Sequence, residues 1–312
     1  MESVNFSSIV KSLLKVGVEP GQILYVYSDL IAPGMIKGAK DRDEFCKTYL
    51  DAIMSILGNE GTIVMPAYTP QVGRFGVEFD TEVTPSLAGL FSEYLRLHKN
   101  SIRSNHPLHS VSAIGAKKEF FCRDLGTSDY SWNSPFQRLH QVKAKVLSIG
   151  LCPGYSLGLS HYVESMCGVP YIYNKLLVWP SKTAGNPDPR KFFASARHLK
   201  LNYKQDFTHW AKLMHKASQI KGARLGGSHV VLADFSRAFE IAAEEIKSNP
   251  YFLLDREPNF VYGEVPFDGP TFGHDGVKVE GSVNKVERKV NTSQVQKQIY
   301  LKKEISQKII CV

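Results

Sequence analysis

The chain has 312 residues, of which 43% are hydrophobic and 22% charged, values typical of a globular protein with one large domain or two. No apolar run approaches the roughly 20 residues of a membrane span, and the first residues lack the pattern of a signal peptide. The net charge is +8, but residues 278–312 carry +5 of it, with eight Lys or Arg against three Glu, which leaves +3 for the rest. A near-neutral body argues against a nucleic-acid partner. The basic tail is interpreted as solvated, the alternative being contact with an anionic ligand or surface.

Five cysteines are scattered along the chain without a CxxC pair, and their number is odd. This usage predicts reduced thiols and a cytoplasmic protein.

The hydrophobic patterns predict alternating helices and strands. In chain order they are a helix at 6–16, a strand at 23–27, a helix at 45–57, a strand at 62–65, a helix from Thr84-Pro85 to about Lys99, strands at 110–114, 145–149, 176–178 and 229–232, and a helix at 235–247 with Asp234 as its N-cap. The order strand, helix, strand over residues 23–65 is a βαβ unit, which predicts an α/β sheet with ligands at strand ends. Residues 181–204 are interpreted as an insertion or irregular β segment, and 276–281 as a further strand.

A loop at 103–110 is dense in polar donors that a core would not require. It contains one Arg, two Ser and two His, namely Arg103, Ser104, His106, His109 and Ser110. Such a set is able to hold a phosphate, a carbonyl or a metal, and the residues alone leave the three open.

A second polar cluster follows the strand predicted at 145–149. His161 and Glu164 are three residues apart and share a face if they lie on a helix. The pair suits a general base, and a structural hydrogen bond at a helix start is the alternative. Two rival sites remain open: a metal site of His106, His109, His161 and Glu164, and a nucleophilic thiol at Cys152 or Cys167 beside His161. No GxxxxGK[ST] loop and no GxGxxG after a strand is present, which argues against ATP and dinucleotide cofactors.

Taken in order, these motifs resemble those of the aminoglycoside 3-N-acetyltransferase family. The matching segments are Val26-Tyr27-Ser28-Asp29-Leu30, Gly61 to Thr69, Thr84-Pro85-Ser86 with Gly89, Glu93 and Arg96, Arg103-Ser104-x-His106-Pro107-x-x-Ser110-Val111, Ser134-Pro135, His161-Tyr162-x-Glu164 and Asp206-Phe207. The resemblance covers about residues 5–255. It implies an α/β fold in which helices flank a central mixed sheet, with residues 1–265 as the acyltransferase domain. Residues 266–312 form a basic extension packed on that domain or extending from it.

The resemblance also implies transfer of an acyl group from acetyl-CoA, or another acyl-CoA, to an amine of an amino sugar, without a metal. His161 is then the general base, with Glu164 or Asp206 fixing its tautomer. Backbone N–H groups of Ser28, Asp29 and Leu30 are candidates for binding the thioester oxyanion. The block of Arg103, Ser104, Ser110 and Val111 is assigned to CoA, with the Arg and hydroxyls on its phosphates.

Three positions depart from the family pattern. Gly158 stands where the family usually has a Thr, Tyr27 where it has a His, and Asp29 where it has a Ser. Ser156 and Ser160 are the nearest hydroxyls that could replace that Thr.

The segment 171–212 is rich in Arg, Lys and aromatic residues, and its only acids are Asp188 and Asp206. This balance favours a nucleotide-linked amino sugar of surface-polysaccharide biosynthesis as the acceptor. An aminoglycoside antibiotic is the alternative, and a non-catalytic protein that binds CoA or a sugar is the alternative of another class. A homodimer is compatible with the sequence.

Overall fold

The computed structural model describes residues 4–75, 77–151, 157–177, 179–197 and 202–259, without the side chains of 74, 75 and 157. Its helices are α1 Phe6–Val16, α2 Arg42–Leu57, α3 Pro70–Phe75, α4 Leu90–Leu97, α5 Lys118–Cys122, α6 Pro135–Gln141, α7 Leu157–Cys167, α8 Thr208–Lys216 and α9 Phe235–Ser248. Its strands are β1 Ile23–Ser28, β2 Thr62–Pro66, β3 Phe79–Asp80, β4 Ile102–Arg103, β5 Val111–Gly115, β6 Lys145–Ile149, β7 Ile172–Leu177, β8 Ser181–Thr183, β9 Asn186–Pro187, β10 Phe192–Arg197, β11 Ile220–Leu225 and β12 Ser228–Asp234.

A seven-stranded mixed sheet forms the centre, in the order β11-β12-β6-β1-β2-β5-β4. The middle strands β6, β1 and β2 are parallel, and the outer ones pair antiparallel. The βαβ unit predicted from the sequence is β1-α2-β2. Since the carboxyl ends of parallel strands meet at one edge, the loops after β1, β2 and β6 lie there together. The predicted fold class is therefore confirmed.

Both faces of the sheet are covered by helices. Leu24 and Val26 of β1 pack with α1, α2 and α4 on one face. Ile23 and Tyr25, the alternate residues, pack with α5 to α9 on the other. This explains why β1 reads as a continuous apolar run rather than an alternating one. Smaller sheets are formed by β10 with β7 and by β3, β8 and β9, so the described part of segment 181–204 contains three strands, β8, β9 and β10.

One predicted helix start is wrong. Thr84 and Pro85 do not open a helix, since α4 begins at Leu90 with Gly89 as its N-cap. The Thr84 hydroxyl instead accepts the Asp80 N–H at 2.8 Å, and the Thr84 carbonyl accepts from Arg103 at 2.5 Å. The Thr84 hydroxyl, which would have capped a helix, is thus bonded to the backbone of Asp80 instead.

Asp234 is the N-cap of α9, as predicted: its carboxylate accepts the Arg237 N–H at 2.9 Å. The strand predicted at 276–281 and the basic extension 266–312 lie outside the described residues. Among the residues described, no helix is long and apolar enough to cross a membrane.

Candidate active site

His161 and Glu164 form an imidazole–carboxylate pair on α7, which follows β6 at the carboxyl edge of the sheet. His161 Nδ1 lies 2.6 Å from Glu164 Oε2. The Glu164 side chain is fully buried, whereas that of His161 is 16% exposed. The carboxylate therefore fixes the ring through Nδ1 and leaves Nε2 as the nitrogen able to accept a proton from a substrate.

Two further side chains hold the Glu164 carboxylate in place. The Tyr171 hydroxyl donates to Oε1 at 3.1 Å, and Gln205 Nε2 donates to the same oxygen at 3.3 Å. Burial raises the pKa of Glu164, but the charge and hydrogen bond of His161, the charge of Arg197 and the donor from Gln205 together more than offset it, so the net pKa is lowered. Glu164 thus remains a carboxylate at neutral pH.

Asp206, the other predicted orienting residue, has a different role. Its side chain is exposed and accepts the Thr208 N–H at 2.8 Å at the start of α8. The neighbouring Gln205 reaches Glu164 instead. The prediction that Asp206 orients His161 is therefore wrong. The residue that reaches Glu164 is its neighbour Gln205, through a side-chain amide rather than a second carboxylate.

The Arg103 block is buried and bonded internally. Arg103 is 5% exposed, and its guanidinium donates to Ser110 Oγ at 2.9 Å, to the Thr84 carbonyl at 2.5 Å and to the Ala67 carbonyl at 2.7 Å. It also lies 4.9 Å from the centre of the Phe79 ring. Its nitrogens are thus engaged with the protein itself, which does not support the prediction that it binds a CoA phosphate.

The other predicted CoA-binding residues of this block are fully buried as well. Ser104 accepts the Val111 N–H at 2.9 Å, and Ser110 donates to the Ala67 carbonyl at 2.8 Å. Ser104, Ser110 and Val111 therefore join strands β4 and β5 to the loop after β2, and the described structure gives them a structural role.

Residues 28–30 lie at the carboxyl end of β1, as predicted. The Asp29 N–H donates to the Ile149 carbonyl at 2.8 Å, and the Asp29 carboxylate accepts the Ile31 N–H at 3.1 Å. Ser28 is half-buried and Leu30 buried. Since the Asp29 N–H is already used between the strands, it is not free to bind an oxyanion.

His106 and His109, from the same loop, have different surroundings. Both ring nitrogens of His106 are occupied: Nε2 lies 3.0 Å from the Phe193 carbonyl, and Nδ1 accepts the His109 N–H at 3.0 Å. His109 Nδ1 lies 2.7 Å from Asp129 Oδ2, which makes a second imidazole–carboxylate pair. Within the described residues, no group of three or more His, Cys, Asp or Glu is arranged to hold a metal.

The burial of His106 predicts acid-sensitive stability. Burial lowers its pKa to about 4, against 6.5 for an ordinary His. The unfolded chain therefore binds a proton that the folded chain does not, and stability is lost as the pH falls from about 6.5 towards 4. We expect this one group to cost about 3 kcal/mol over that range.

Urea unfolding at several pH values measures this loss. In His106→Gln the dependence on pH should be shallower than in the wild type, whatever the variant costs at neutral pH. The exposed His229, changed to Gln, is the control and should keep the wild-type slope. Equal slopes for wild type and His106→Gln would assign the acid sensitivity to other groups.

The candidate cysteine nucleophile finds no support. Cys167 is half-buried, and burial raises the pKa of its thiol, which is the opposite of what a nucleophile requires. Cys152 lies outside the described residues.

Comparison with known proteins decides the family. The family model for aminoglycoside 3-N-acetyltransferase matches residues 26–247, which is more than half of the chain. The chain belongs to this family.

Individual relatives agree with this assignment. Aminoglycoside N(3)-acetyltransferase IV of a Salmonella species is 29% identical over 168 residues, which cover 53% of this chain and 60% of that relative. The match thus spans less than two thirds of the relative's length.

Solved structures have the same fold. AAC-IIIb in a binary complex with CoASH has a TM-score of 0.67 at 19% identity, and the match covers 79% of this chain and 97% of the AAC-IIIb chain. An AAC(3)-IVa variant in complex with a gentamicin has a TM-score of 0.65 at 20% identity, covering 81% and 92%. The two structures support the fold.

Two positions that depart from the family pattern meet in space. The Gly158 N–H donates to the Tyr27 hydroxyl at 2.9 Å, and Tyr27 donates to the Tyr25 hydroxyl at 2.7 Å. The Tyr25 and Tyr68 hydroxyls are 3.1 Å apart. Burial raises the pKa of Tyr25 and of Tyr68, so these phenols stay protonated at neutral pH. Ser160, one of the two suggested replacements for the family Thr, is fully buried, and Ser156 is outside the described residues.

No side chain fits at residue 158 as the protein is packed here. A Cβ atom there would lie 2.6 Å from Tyr68 Oη and even closer to the Phe136 ring. The Tyr68 hydroxyl therefore occupies space that the side chain of a Thr at 158 would need.

We expect Gly158→Ala to destabilise the protein by about 1–3 kcal/mol, because the new methyl group overpacks against Phe136 and Tyr68. Adding Tyr68→Phe should recover part of the loss, since it removes the nearest oxygen. Chemical denaturation measures both. The control is Gly222→Ala in β11, where a Cβ meets nothing within 4 Å. A Gly158→Ala variant as stable as that control would show that Phe136 moves freely.

Sequence reasoning missed four residues of the site: Tyr171, Gln205, Asp129 and Tyr130. Tyr171 and Gln205 are 7 and 41 residues from Glu164, and Asp129 is 20 residues from His109. No short sequence pattern predicts contacts between residues at these separations. An acidic residue beside an aromatic one, as in Asp129-Tyr130, was the only signal in the sequence, and it is a weak one.

Proposed function

We propose that this protein transfers the acetyl group of acetyl-CoA to an amine of an aminoglycoside, with His161 as general base. The observation that carries the proposal is the His161–Glu164 pair: a partly exposed imidazole fixed through Nδ1 by a fully buried carboxylate. Its position at the carboxyl edge of a parallel sheet is the usual place for a ligand in an α/β protein.

The pair suits the chemistry of N-acyl transfer. An amine attacks a thioester only through its lone pair, and it must lose a proton as the amide forms. His161 Nε2 accepts that proton, and Glu164 stabilises the resulting imidazolium because a buried carboxylate favours the charged ring. Tyr171 and Gln205 keep the carboxylate in position, which limits the reorganisation required during the reaction.

Acetyl-CoA is proposed as the donor because the chain belongs to an acetyltransferase family and because a structure of the same fold binds CoASH. Arg103 has no part in that binding, since its guanidinium donates to carbonyls of the protein itself.

An aminoglycoside is favoured over the nucleotide-linked amino sugar that the sequence suggested. The matching relatives are named for aminoglycoside acetylation, and one structure of this fold contains a gentamicin. The cations that suggested an anionic acceptor are partly neutralised: Asp188 binds Arg190 through two contacts, and Lys182 pairs with Glu78 at 2.8 Å. A cationic acceptor is therefore compatible with this segment.

Release of free thiol from acetyl-CoA tests the proposal. The purified chain is incubated with acetyl-CoA and each of a panel of amines that includes gentamicin, apramycin and nucleotide-linked amino sugars. We expect thiol release with at least one aminoglycoside and an acetylated product by mass spectrometry. Release with nucleotide-linked sugars alone would overturn the acceptor but keep the transfer reaction. Binding of CoA without release for any amine would favour the non-catalytic alternative.

A further inference from the structure

A second imidazole–carboxylate pair lies beside the first. His109 Nδ1 is 2.7 Å from Asp129 Oδ2, and the side chains are 16% and 0% exposed, the same values as for His161 and Glu164. The Tyr130 ring contacts both imidazoles, with centroid distances of 5.1 Å to His109 and 5.5 Å to His161. The two pairs therefore belong to one site, although residues far apart in the sequence supply them.

Asp129 is anchored more firmly than a packing residue requires. Besides His109, its carboxylate accepts the Ser195 N–H at 2.9 Å, the Ser195 hydroxyl at 3.0 Å and the Tyr130 N–H at 2.9 Å. Burial raises the pKa of Asp129, but the hydrogen bond and charge of His109, the charge of His106 and the Ser195 N–H outweigh it, so the net pKa is lowered. A fixed, ionised carboxylate therefore holds the His109 ring in place through Nδ1.

The ring of His109 has one nitrogen left for a ligand. Nδ1 is bound by Asp129, and no described residue is hydrogen-bonded to Nε2, in contrast to His106, where both nitrogens are used. Besides Asp129, the ionisable side chains against the His109 ring are Tyr68, Tyr130 and His106. Burial raises the pKa of the two tyrosines and lowers that of His106 to about 4, so all three stay neutral at neutral pH. His109 is thus an acid–base group whose Nε2 is not used in a hydrogen bond to any described residue.

We propose that His109 is a second catalytic residue of the acyl transfer, the general acid that protonates the departing CoA sulfur. The inference rests on the proposed function. In the overall step the amine nitrogen forms a bond to the thioester carbon and the carbon–sulfur bond breaks. His161 Nε2 accepts the proton lost by nitrogen, and His109 Nε2 donates a proton to the sulfur. The products are the amide and the free thiol, and solvent then resets the two imidazoles.

Steady-state kinetics of His109→Asn and His109→Gln test this role. Both amides keep a donor near Asp129 but lack an acid at Nε2. With acetyl-CoA we expect kcat to fall by about 100-fold or more, the usual size of an acid–base contribution. With the acetyl thioester of thionitrobenzoate, whose sulfur leaves as a stable thiolate, the deficit should shrink to within about five-fold.

The two acetyl donors are also compared for His161→Ala. Its loss of kcat should be the same with both, because a better leaving group does not replace the base that deprotonates the amine. Equal deficits of the His109 variants with both donors would overturn the proposal, and so would rescue of His161→Ala in place of the His109 variants. Unaltered kcat in His109→Asn would overturn it as well. Melting temperatures of the variants show whether they fold.

Titration of bound CoASH gives a second measurement that does not depend on turnover. An imidazolium at the sulfur should lower the pKa of the bound thiol, which thiolate absorbance reports, and His109→Asn should return it to that of free CoASH. If the pKa of the bound thiol were the same in wild type and variant, the role of His109 would be overturned but the proposed function would stand. Absence of CoA binding by the wild type would overturn the proposed function and with it this role.

Discussion

We expect His161→Ala to lower kcat for acetyl transfer by at least about 100-fold while the protein stays folded and still binds CoA. The imidazole is the partly exposed member of its pair, and its loss removes the group that Glu164 positions to accept a proton. Glu164 keeps its hydrogen bonds from Tyr171 and Gln205, so the buried carboxylate is not left unpartnered. Thiol release measures turnover, and calorimetry measures CoA binding and melting.

The exposed His229 provides the matched control, since His229→Ala removes an imidazole that has no hydrogen bond to His161, Glu164 or Asp129. It should keep wild-type kinetics. Glu164→Gln should also lower kcat, because a neutral amide stabilises the imidazolium less than a carboxylate does. Activity retained in His161→Ala would transfer the role of base to the other partly exposed imidazole of the site, His109.

Arg103→Ala should destabilise the fold by about 3–5 kcal/mol rather than weaken CoA binding, since each buried acceptor left without its donor costs about 1–3 kcal/mol. The substitution leaves the carbonyls of Thr84 and Ala67 and the hydroxyl of Ser110 without their donor in a buried region. It also removes the guanidinium packed on the Phe79 ring. Arg103→Lys should rescue little, because an ammonium group cannot reproduce the planar fork of donors. Urea unfolding measures the loss.

Arg237→Ala is the control for this prediction. Arg237 is an exposed residue of α9 whose side chain pairs with Glu240 on the surface, so its loss should cost about 1 kcal/mol or less. If Arg103→Ala were as stable as the wild type but had a raised KM for acetyl-CoA, the guanidinium would be a CoA ligand, as the sequence suggested.

The sequence by itself determined the α/β class and located part of the elements that build the central sheet and its covering helices. Periodicity located α1 at Phe6–Val16 and β6 at Lys145–Ile149 with the bounds that the structure has, because burial of one helix face or one strand imposes a local repeat. It also indicated that His161 and Glu164 share a face if they lie on a helix, since three residues nearly complete a turn, and the structure supplies that helix as α7.

Only the tertiary structure decided what the polar residues do. The sequence predicted that Arg103 binds a phosphate. A run of hydrogen-bond donors has the same sequence pattern whether the donors bind a ligand or the carbonyls of a distant loop. Gln205 rather than Asp206 reaches Glu164, and Asp129 meets His109, because the fold brings together segments 20 and 41 residues apart. Local spacing determines secondary structure, whereas hydrogen-bond partners are chosen by packing between elements, which no short pattern encodes.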